Sequence, residues 1–298
     1  MDTFEAGRSE VVNADVTKWF ERNKDAVFHL SFLDPPFNQG KDYKFFDDDM
    51  SHDDYWGWME KILRAVYERT IEGGAIYFMQ REKNTEFVLS ALRKTGWSFQ
   101  NLIIWKKKTS AVPVSNRFGK QFQIIAYAIK GEKPRVFNRL RIALPLPPDY
   151  KYDRETGIFV TDVWDDIREL TSGYFAGDEA IRSEEGERFH KQQSPIALLL
   201  RIIMSSSNMS DTIFDPFAGT GTTLVVAKQL KRNSIGVDID PDNVKLIQRR
   251  LKEERTSDDV SKYFDYYRYT DGLALILGVE DVQSAGLLKS KQEMLFEE

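Results

Sequence analysis

An α/β fold, with a mostly parallel sheet covered by helices on both faces, is predicted by three observations. Segments of strand length alternate with amphipathic segments of helix length through most of the chain. The run AVFHLSFL at 26–33 reads as a buried strand, stopped by Pro35 and Pro36. A further strand, ending near Phe217, feeds a glycine turn that opens a helix. The length of 298 residues suits one large domain of this class, alone or with a smaller insertion, and 41% hydrophobic residues suffice for its core.

Each element follows from local pattern. Val11–Val12 reads as a short strand closed by the polar turn Asn13-Ala14-Asp15. Asp53–Arg69 reads as a helix because Trp58, Ile62, Ala65 and Val66 recur on one face. Trp56 and Trp58 are assigned to the core, where aromatic positions of an amphipathic helix generally lie. Gly73-Gly74 opens a strand over Ala75–Met79, and a helix around Lys83–Lys94 ends before Gly96. Strands are expected at Phe99–Lys107 and Phe122–Lys130. Between 131 and 188 the alternation fades and prolines stand at 145, 147 and 148, which marks an inserted module or long functional loops. The pattern then resumes with helices at Pro195–Ser207, Thr222–Lys231 and Pro241–Lys252. Strands at Thr212–Phe217 and Ser234–Asp240 separate them. The expected divisions are 1–130, 131–188, 189–252 and an uninformative 253–298.

Composition narrows the chemistry. The chain has no cysteine, which removes disulfides, cysteine metal sites and thiolate nucleophiles. Its three histidines, His29, His52 and His190, support neither a zinc hydrolase nor a histidine-dependent triad, so no metal is expected. The first ten residues carry no secretory pattern, and no apolar run approaches the roughly 18 residues that span a bilayer. A cytoplasmic protein is expected. The net charge of −5 conceals a stretch from Lys106 to Arg154 with twelve Lys/Arg against three Asp/Glu, a candidate basic surface.

Two motifs carry chemistry. In Phe214-Asp215-Pro216-Phe217-Ala218-Gly219-Thr220-Gly221-Thr222-Thr223 a strand runs into a glycine turn whose backbone N–H groups can approach a ligand. Asp238, at the end of the next strand, is placed to bind ribose hydroxyls. No Gly-Lys-Ser/Thr follows, which disfavours a phosphate loop, and Leu224 replaces the third glycine of a dinucleotide fingerprint. A tight turn without a ligand is the simpler alternative for this loop taken alone. The second motif is Asp34-Pro35-Pro36-Phe37-Asn38 at a strand's C-terminal end. The prolines stiffen the turn, so Asp34 presents a carboxylate beside a fixed carbonyl acceptor. Such acceptors could bind both hydrogens of an exocyclic amine and turn its delocalised lone pair toward an electrophile. Phe37 could stack on a base drawn out of its helix.

Asp34-Pro35-Pro36-Phe37 resembles the Asp-Pro-Pro-Tyr/Phe catalytic motif of amino-group DNA methyltransferases, and Phe217-Ala218-Gly219-Thr220-Gly221 is similar to their Phe-x-Gly-x-Gly cofactor loop. Catalytic motif first and cofactor motif last is the order of that family's β group. Asn13-Ala14-Asp15 is similar to the adenine-binding turn of the cofactor site, and Ile103-Ile104-Trp105-Lys106-Lys107 to the strand before the target-recognition region. His190-Lys191-Gln192-Gln193-Ser194-Pro195 resembles the segment written HPTQKP, with Gln192 and Ser194 replacing its threonine and lysine. Asp238 stands where the family often has glutamate.

The resemblance implies a doubly wound, seven-stranded S-adenosylmethionine-dependent methyltransferase sheet with a target-recognition insertion at 131–188. It implies catalysis by Asp34, Pro35, Pro36 and Phe37. Cofactor contacts are implied for Asp15, Phe217, Ala218, Gly219, Thr220, Gly221, Thr222, Asp238 and His190. Candidates for DNA contacts are Arg117, Lys120, Arg135, Arg139 and Arg141. Double-stranded DNA is the implied substrate; a cognate restriction endonuclease and a second copy of the chain are further partner candidates. Methylation of cytosine carbon 5 is excluded, since that chemistry in the known families needs a cysteine. Adenine N6 is preferred over cytosine N4 because an acidic first position is usual among adenine enzymes. RNA and protein-glutamine amino groups are the remaining methyl-acceptor alternatives, and an NAD-dependent oxidoreductase is the alternative from another class.

Overall fold

The computed structural model describes residues 7–40, 42–43, 45–109, 113, 115–143, 156–170, 177–182, 186, 189 and 193–279. In chain order, β1 (Ser9–Asn13), α1 (Val16–Arg22) and β2 (Phe28–Leu33) lead to the small pair β3 (Asp42–Tyr43) and β4 (Phe46–Asp47). Next come α2 (His52–Arg69), β5 (Thr70–Arg81), α3 (Thr85–Lys94), β6 (Ser98–Lys106) and β7 (Phe122–Ile129). Three short strands, β8 (Arg141–Ile142), β9 (Ile158–Phe159) and β10 (Val163–Trp164), fall in the stretch read as an insertion. The chain continues through α4 (Ile196–Ser206), β11 (Thr212–Asp215), α5 (Thr222–Gln229), β12 (Asn233–Asp238), α6 (Pro241–Lys252) and α7 (Leu273–Leu277).

Helix starts are chemically specified. Ser51 caps α2 through its bond to the Asp54 N–H, with Asp53 and Asp54 in the first turn where the helix dipole favours acids. Asp240 caps α6, followed by Pro241, whose missing N–H is no loss at that position. Asp15 caps α1, a helix the sequence pattern does not announce.

Eight strands form one sheet in the order β1-β12-β11-β2-β5-β7-β6-β10. All run parallel except β7, which is antiparallel to both neighbours. The seven expected strands are β1, β2, β5, β6, β7, β11 and β12; β10, from the expected insertion, adds an eighth beside β6. Both faces are covered, which explains the continuous apolar runs. Ala75, Tyr77 and Met79 of β5 face one core with α4, α5 and the C-terminal Phe264, Tyr267 and Ile276. Ile76 and Phe78 face the other, with α1, α2 and α3. The segment beyond 252 is therefore part of the main core through residue 279, held also by Arg201, which bonds Asp166 and the Tyr267 hydroxyl.

Strands β11 and β2 are neighbours, with Ile213 opposite Leu30 and Phe214 opposite Ser31. From β11 the chain winds to β12 on one side; from β2 it winds to β5 on the other. This reversal opens a crevice at the strands' C-terminal ends, where open α/β sheets bind ligands. Asp34 and Phe217 each lie three residues beyond the Ser31–Phe214 pair, so both motifs arrive there.

Candidate functional site

The loop after β2 is clamped on both sides. The Tyr55 hydroxyl donates to the Pro36 carbonyl at 2.8 Å and accepts from the Gln80 amide at 2.8 Å. Asn38 sits at a left-handed φ of 52°, held because its side chain exchanges two bonds with the Met50 backbone, at 2.7 and 2.8 Å. The buried Asp48 carboxylate accepts from the Asn38 and Gln39 N–H groups at 2.8 and 3.0 Å. Asp34 is half-buried at the mouth of this rigid turn, and its Oδ2 accepts from the Ser194 hydroxyl at 3.2 Å. Lys107, at the end of β6, faces Asp34 and Glu169 with its ammonium 4.1 Å from the Trp105 ring centre; burial pushes its pKa down to about 8 although both carboxylates oppose this.

The glycine loop is held as firmly. Gly219 and Gly221 have φ of 52° and 78°, the left-handed region that disfavours side chains. A Cβ on Gly221 would meet Ile247 at 2.7 Å, whereas one on Gly219 would meet nothing nearer than the Phe217 carbonyl at 3.8 Å. Gly221 thus serves helix packing, and Gly219 leaves an open cradle. The Asp238 carboxylate accepts from the Gly219 N–H at 2.7 Å, the Asp240 N–H at 2.9 Å and Asn243 at 3.0 Å. From beneath, Arg250 donates to the Thr220 carbonyl at 2.7 Å while Asp258 grips its guanidinium with bonds of 2.9 and 2.8 Å.

The two loops line one cavity of about 970 Å³. Its walls include Asp34, Pro35 and Pro36 from the first motif, and Phe217, Ala218, Gly219, Thr220 and Thr222 from the second. Asp15 and Asp238 also line it. A second cavity of about 850 Å³, around Asp166, Glu179 and Lys262, contains none of the motif residues. The first is strongly acidic: Asp15, Asp34, Asp215, Asp238, Asp240 and Asp242 outnumber Lys245 and Arg249. It therefore suits a cationic ligand better than a phosphate. Asp215 is fully buried; that desolvation pushes its pKa up to about 7, helped by the neighbouring Asp238 and opposed by bonds from Thr223 and the Phe217 N–H. Burial likewise raises Asp238. Burial opposes the charge on Asp15, but bonds from the Thr17 hydroxyl and the Lys18 and Thr17 N–H groups prevail and hold it below the usual carboxylate range. The same carboxylate therefore caps α1 and lines the cavity.

Several expected residues fall elsewhere. Phe37 is 5% exposed and off the cavity wall; without a hydroxyl to keep in water, its ring is buried beneath the loop. The aromatic wall consists of Phe45, Phe46, Trp58, Phe189 and Phe217. Trp58, expected in the core, is half-buried there, 5.7 Å from the Phe217 ring. The described part of the Lys106–Arg154 stretch is not one surface. Strand β7 runs antiparallel and carries the chain to the opposite edge of the sheet, roughly 25 Å for its eight residues. Arg135 ends there, ion-paired with Asp211 just before β11 and bonded through its N–H to the Gly73 carbonyl. Arg139 and Arg141 stack on the Phe159 ring at 5.2 and 4.2 Å. None of these three arginines lines the cavity, and Arg135 is held at the far edge; Arg117 and Lys120, before β7, stand at the strand end beside Lys106. His190 lies outside the described residues. Sequence reasoning missed Asp215, Lys107 and the Arg250–Asp258 support. For Asp215 the signal was present, since Asp-Pro-Phe mirrors Asp-Pro-Pro-Phe.

Among the described residues, no group of three or more histidine and carboxylate side chains is placed to hold a metal, and no helix is long and apolar enough to cross a membrane. Comparison with known proteins agrees with the geometry. The type II methyltransferase M.HpaI of Haemophilus parainfluenzae is 28% identical over 245 residues, covering 82% of this chain and 74% of that protein. The DNA adenine methyltransferase YhdJ of Escherichia coli K12 is 28% identical over 258 residues, 81% of this chain and 82% of that one. The type II methyltransferase M.BamHI of Bacillus amyloliquefaciens is 29% identical, and this chain spans 57% of its length. The fold is shared with the M1.HpyAVI–SAM complex at a TM-score of 0.57 and 20% identity, covering 82% of this chain and all of that one. It is shared with the cytosine-N4-specific PvuII DNA methyltransferase at 0.62 and 15%, covering 92% and 94%. The profile of the DNA methylase family matches residues 28–249, from the start of β2 into the last turn of α6, so both motif loops and all of the cavity lining except Ala14, Asp15 and Val16 fall within it, and the chain belongs to that family.

Proposed function

We propose that this chain methylates N6 of adenine in double-stranded DNA, drawing on S-adenosylmethionine. The observation that carries the reading is a single acidic cavity joining a glycine cradle to an Asp-Pro-Pro turn clamped at Pro36 and Asn38. The residues fit the cofactor: Gly219 offers open space, Asp238 lines the cavity beside the loop where a ribose would lie, and the excess of carboxylates matches a cation. When bound, S-adenosylmethionine supplies an electrophilic methyl group on a positively charged sulfur.

The chain's own residues orient the amine. The Asp34 carboxylate and the Pro35 carbonyl accept its two hydrogens, which turns the nitrogen lone pair out of ring conjugation. As the nitrogen gains positive charge, the carboxylate binds it more tightly than in the ground state. Tyr55, Gln80 and Asp48 keep both acceptors from reorganising. The aromatic wall gives an extruded base a surface on which to stack. Target recognition is assigned to 131–188, the stretch that precedes Phe189 on the cavity wall. The adenine preference draws on the acidic Asp34 and on the adenine methyltransferase among the relatives. Transfer of tritium from labelled S-adenosylmethionine to equal masses of DNA, RNA and protein tests the substrate class. Label in DNA is expected; label confined to RNA or protein would overturn the reading.

A further inference from the structure

The same sheet edge that carries the cavity continues over β5, β7 and β6, where it turns basic. Arg81 ends β5 opposite Gln123, Lys106 ends β6 opposite Phe122, and the Lys107 N–H meets the Gln121 carbonyl at 2.7 Å. The strand tips are therefore side by side. Lys83 lies two residues beyond β5, and Arg117 and Lys120 precede β7, with Lys120 paired to Glu82 at 2.8 Å. Burial, then repulsion from Arg81, Lys120 and Arg117, pushes the Lys83 ammonium below its usual range despite the opposing Glu82. Like charges close enough to repel one another are relieved by an anion laid across them. Among these cations stands Phe118, 96% exposed; the next most exposed phenylalanine among the described residues, Phe45, is 50% exposed and lines the cavity. The edge is tied to the catalytic turn through the Gln80–Tyr55–Pro36 bonds, so the basic tips and Asp34 belong to one continuous strip.

We infer that this strip is the docking surface for duplex DNA, with Arg81, Lys83, Arg117 and Lys120 on phosphates and the Phe118 ring stacking on bases where one is unpaired. The inference rests on the DNA methyltransferase reading. Phosphate contacts supply salt-dependent binding, whereas an aromatic ring filling the space beside a displaced base supplies a salt-independent contribution. The two classes of residue are therefore separable.

The test is binding of a fluorescein-labelled duplex of about 30 base pairs with one central unpaired base, measured from roughly 50 to 300 mM salt. The double variant K83A/R117A should lower the log–log salt slope by about two. K133A/R139A, which removes two exposed cations from the other side of β7, should leave it unchanged. Phe118→Ala should weaken binding on the order of tenfold with the slope intact, and Phe118→Trp should restore affinity. Equal slope losses in both double variants, or unchanged affinity in Phe118→Ala, would overturn the inference. If the variants show these binding effects but the unaltered protein transfers no methyl group to DNA, the methyltransferase reading falls and the docking surface stands. Methyl transfer without the slope difference gives the converse.

Discussion

Asp215→Asn should separate cofactor recognition from folding. Asp215 is fully buried beside the cavity, and burial carries its pKa up to about 7. Against an ordinary value near 3.8, that corresponds to about 4 kcal/mol opposing ionisation. The folded-state pKa is raised, so the stability this carboxyl contributes is present below about pH 4 and is lost as pH rises through about 7. A cationic ligand reverses the preference, because it favours the ionised form. At pH 5 about one molecule in a hundred carries ionised Asp215, and at pH 7 about half do. If the cofactor selects that form, its affinity should rise about fifty-fold between these pH values. Close to one proton should be released per cofactor bound at pH 6. Asparagine still accepts from the Phe217 N–H, and the Thr223 hydroxyl can turn to accept from its amide, so the loop's bonds survive. Calorimetry in buffers of differing ionisation enthalpy counts the protons. The variant retains Asp238, whose pKa is also raised, so the difference between the two proteins isolates Asp215. The variant should bind S-adenosylmethionine with a weaker pH dependence than the unaltered protein and, without cofactor at pH 8, should melt above it. Identical proton release by both proteins would refute this electrostatic account of the cavity.

Asp34→Ala should lower the rate of methyl transfer by ~10²–10³ while leaving S-adenosylhomocysteine affinity nearly unchanged by calorimetry, since Asp34 makes none of the glycine loop's bonds. Gly219→Val should abolish cofactor binding with the circular dichroism spectrum retained, because the cradle is open on the cavity side but its φ of 52° strains a branched residue. Asp258→Ala leaves the Arg250 guanidinium buried and unpaired, so denaturant unfolding should show a loss of about 3–5 kcal/mol together with weaker cofactor binding through Thr220.

The two motif loops and the main strands were legible along the chain because they depend on local chemistry: proline-stopped strands, glycine turns and uninterrupted apolar runs. What escaped the sequence depends on where the sheet sends each segment. The basic stretch looked continuous, but β7 delivers Arg117 and Lys120 to the site's edge and Arg135 to the far one. Trp58 matched a core stripe because the cavity wall and the core lie on adjacent sides of α2. The stacking assigned to Phe37 was placed one loop away from the rings that line the cavity, Phe45 and Phe46. Residues 253–279 gave no signal since their role is to complete another segment's contacts, as Asp258 does for Arg250.

Nucleoside mass spectrometry, on DNA from cells expressing either the unaltered protein or Asp34→Ala, tests the central claim most directly. The account predicts N6-methyladenine above background with the unaltered protein and its loss in the variant. N4-methylcytosine in its place would contradict the adenine assignment, and neither nucleoside from a folded, cofactor-binding protein would contradict the claim that this site methylates DNA.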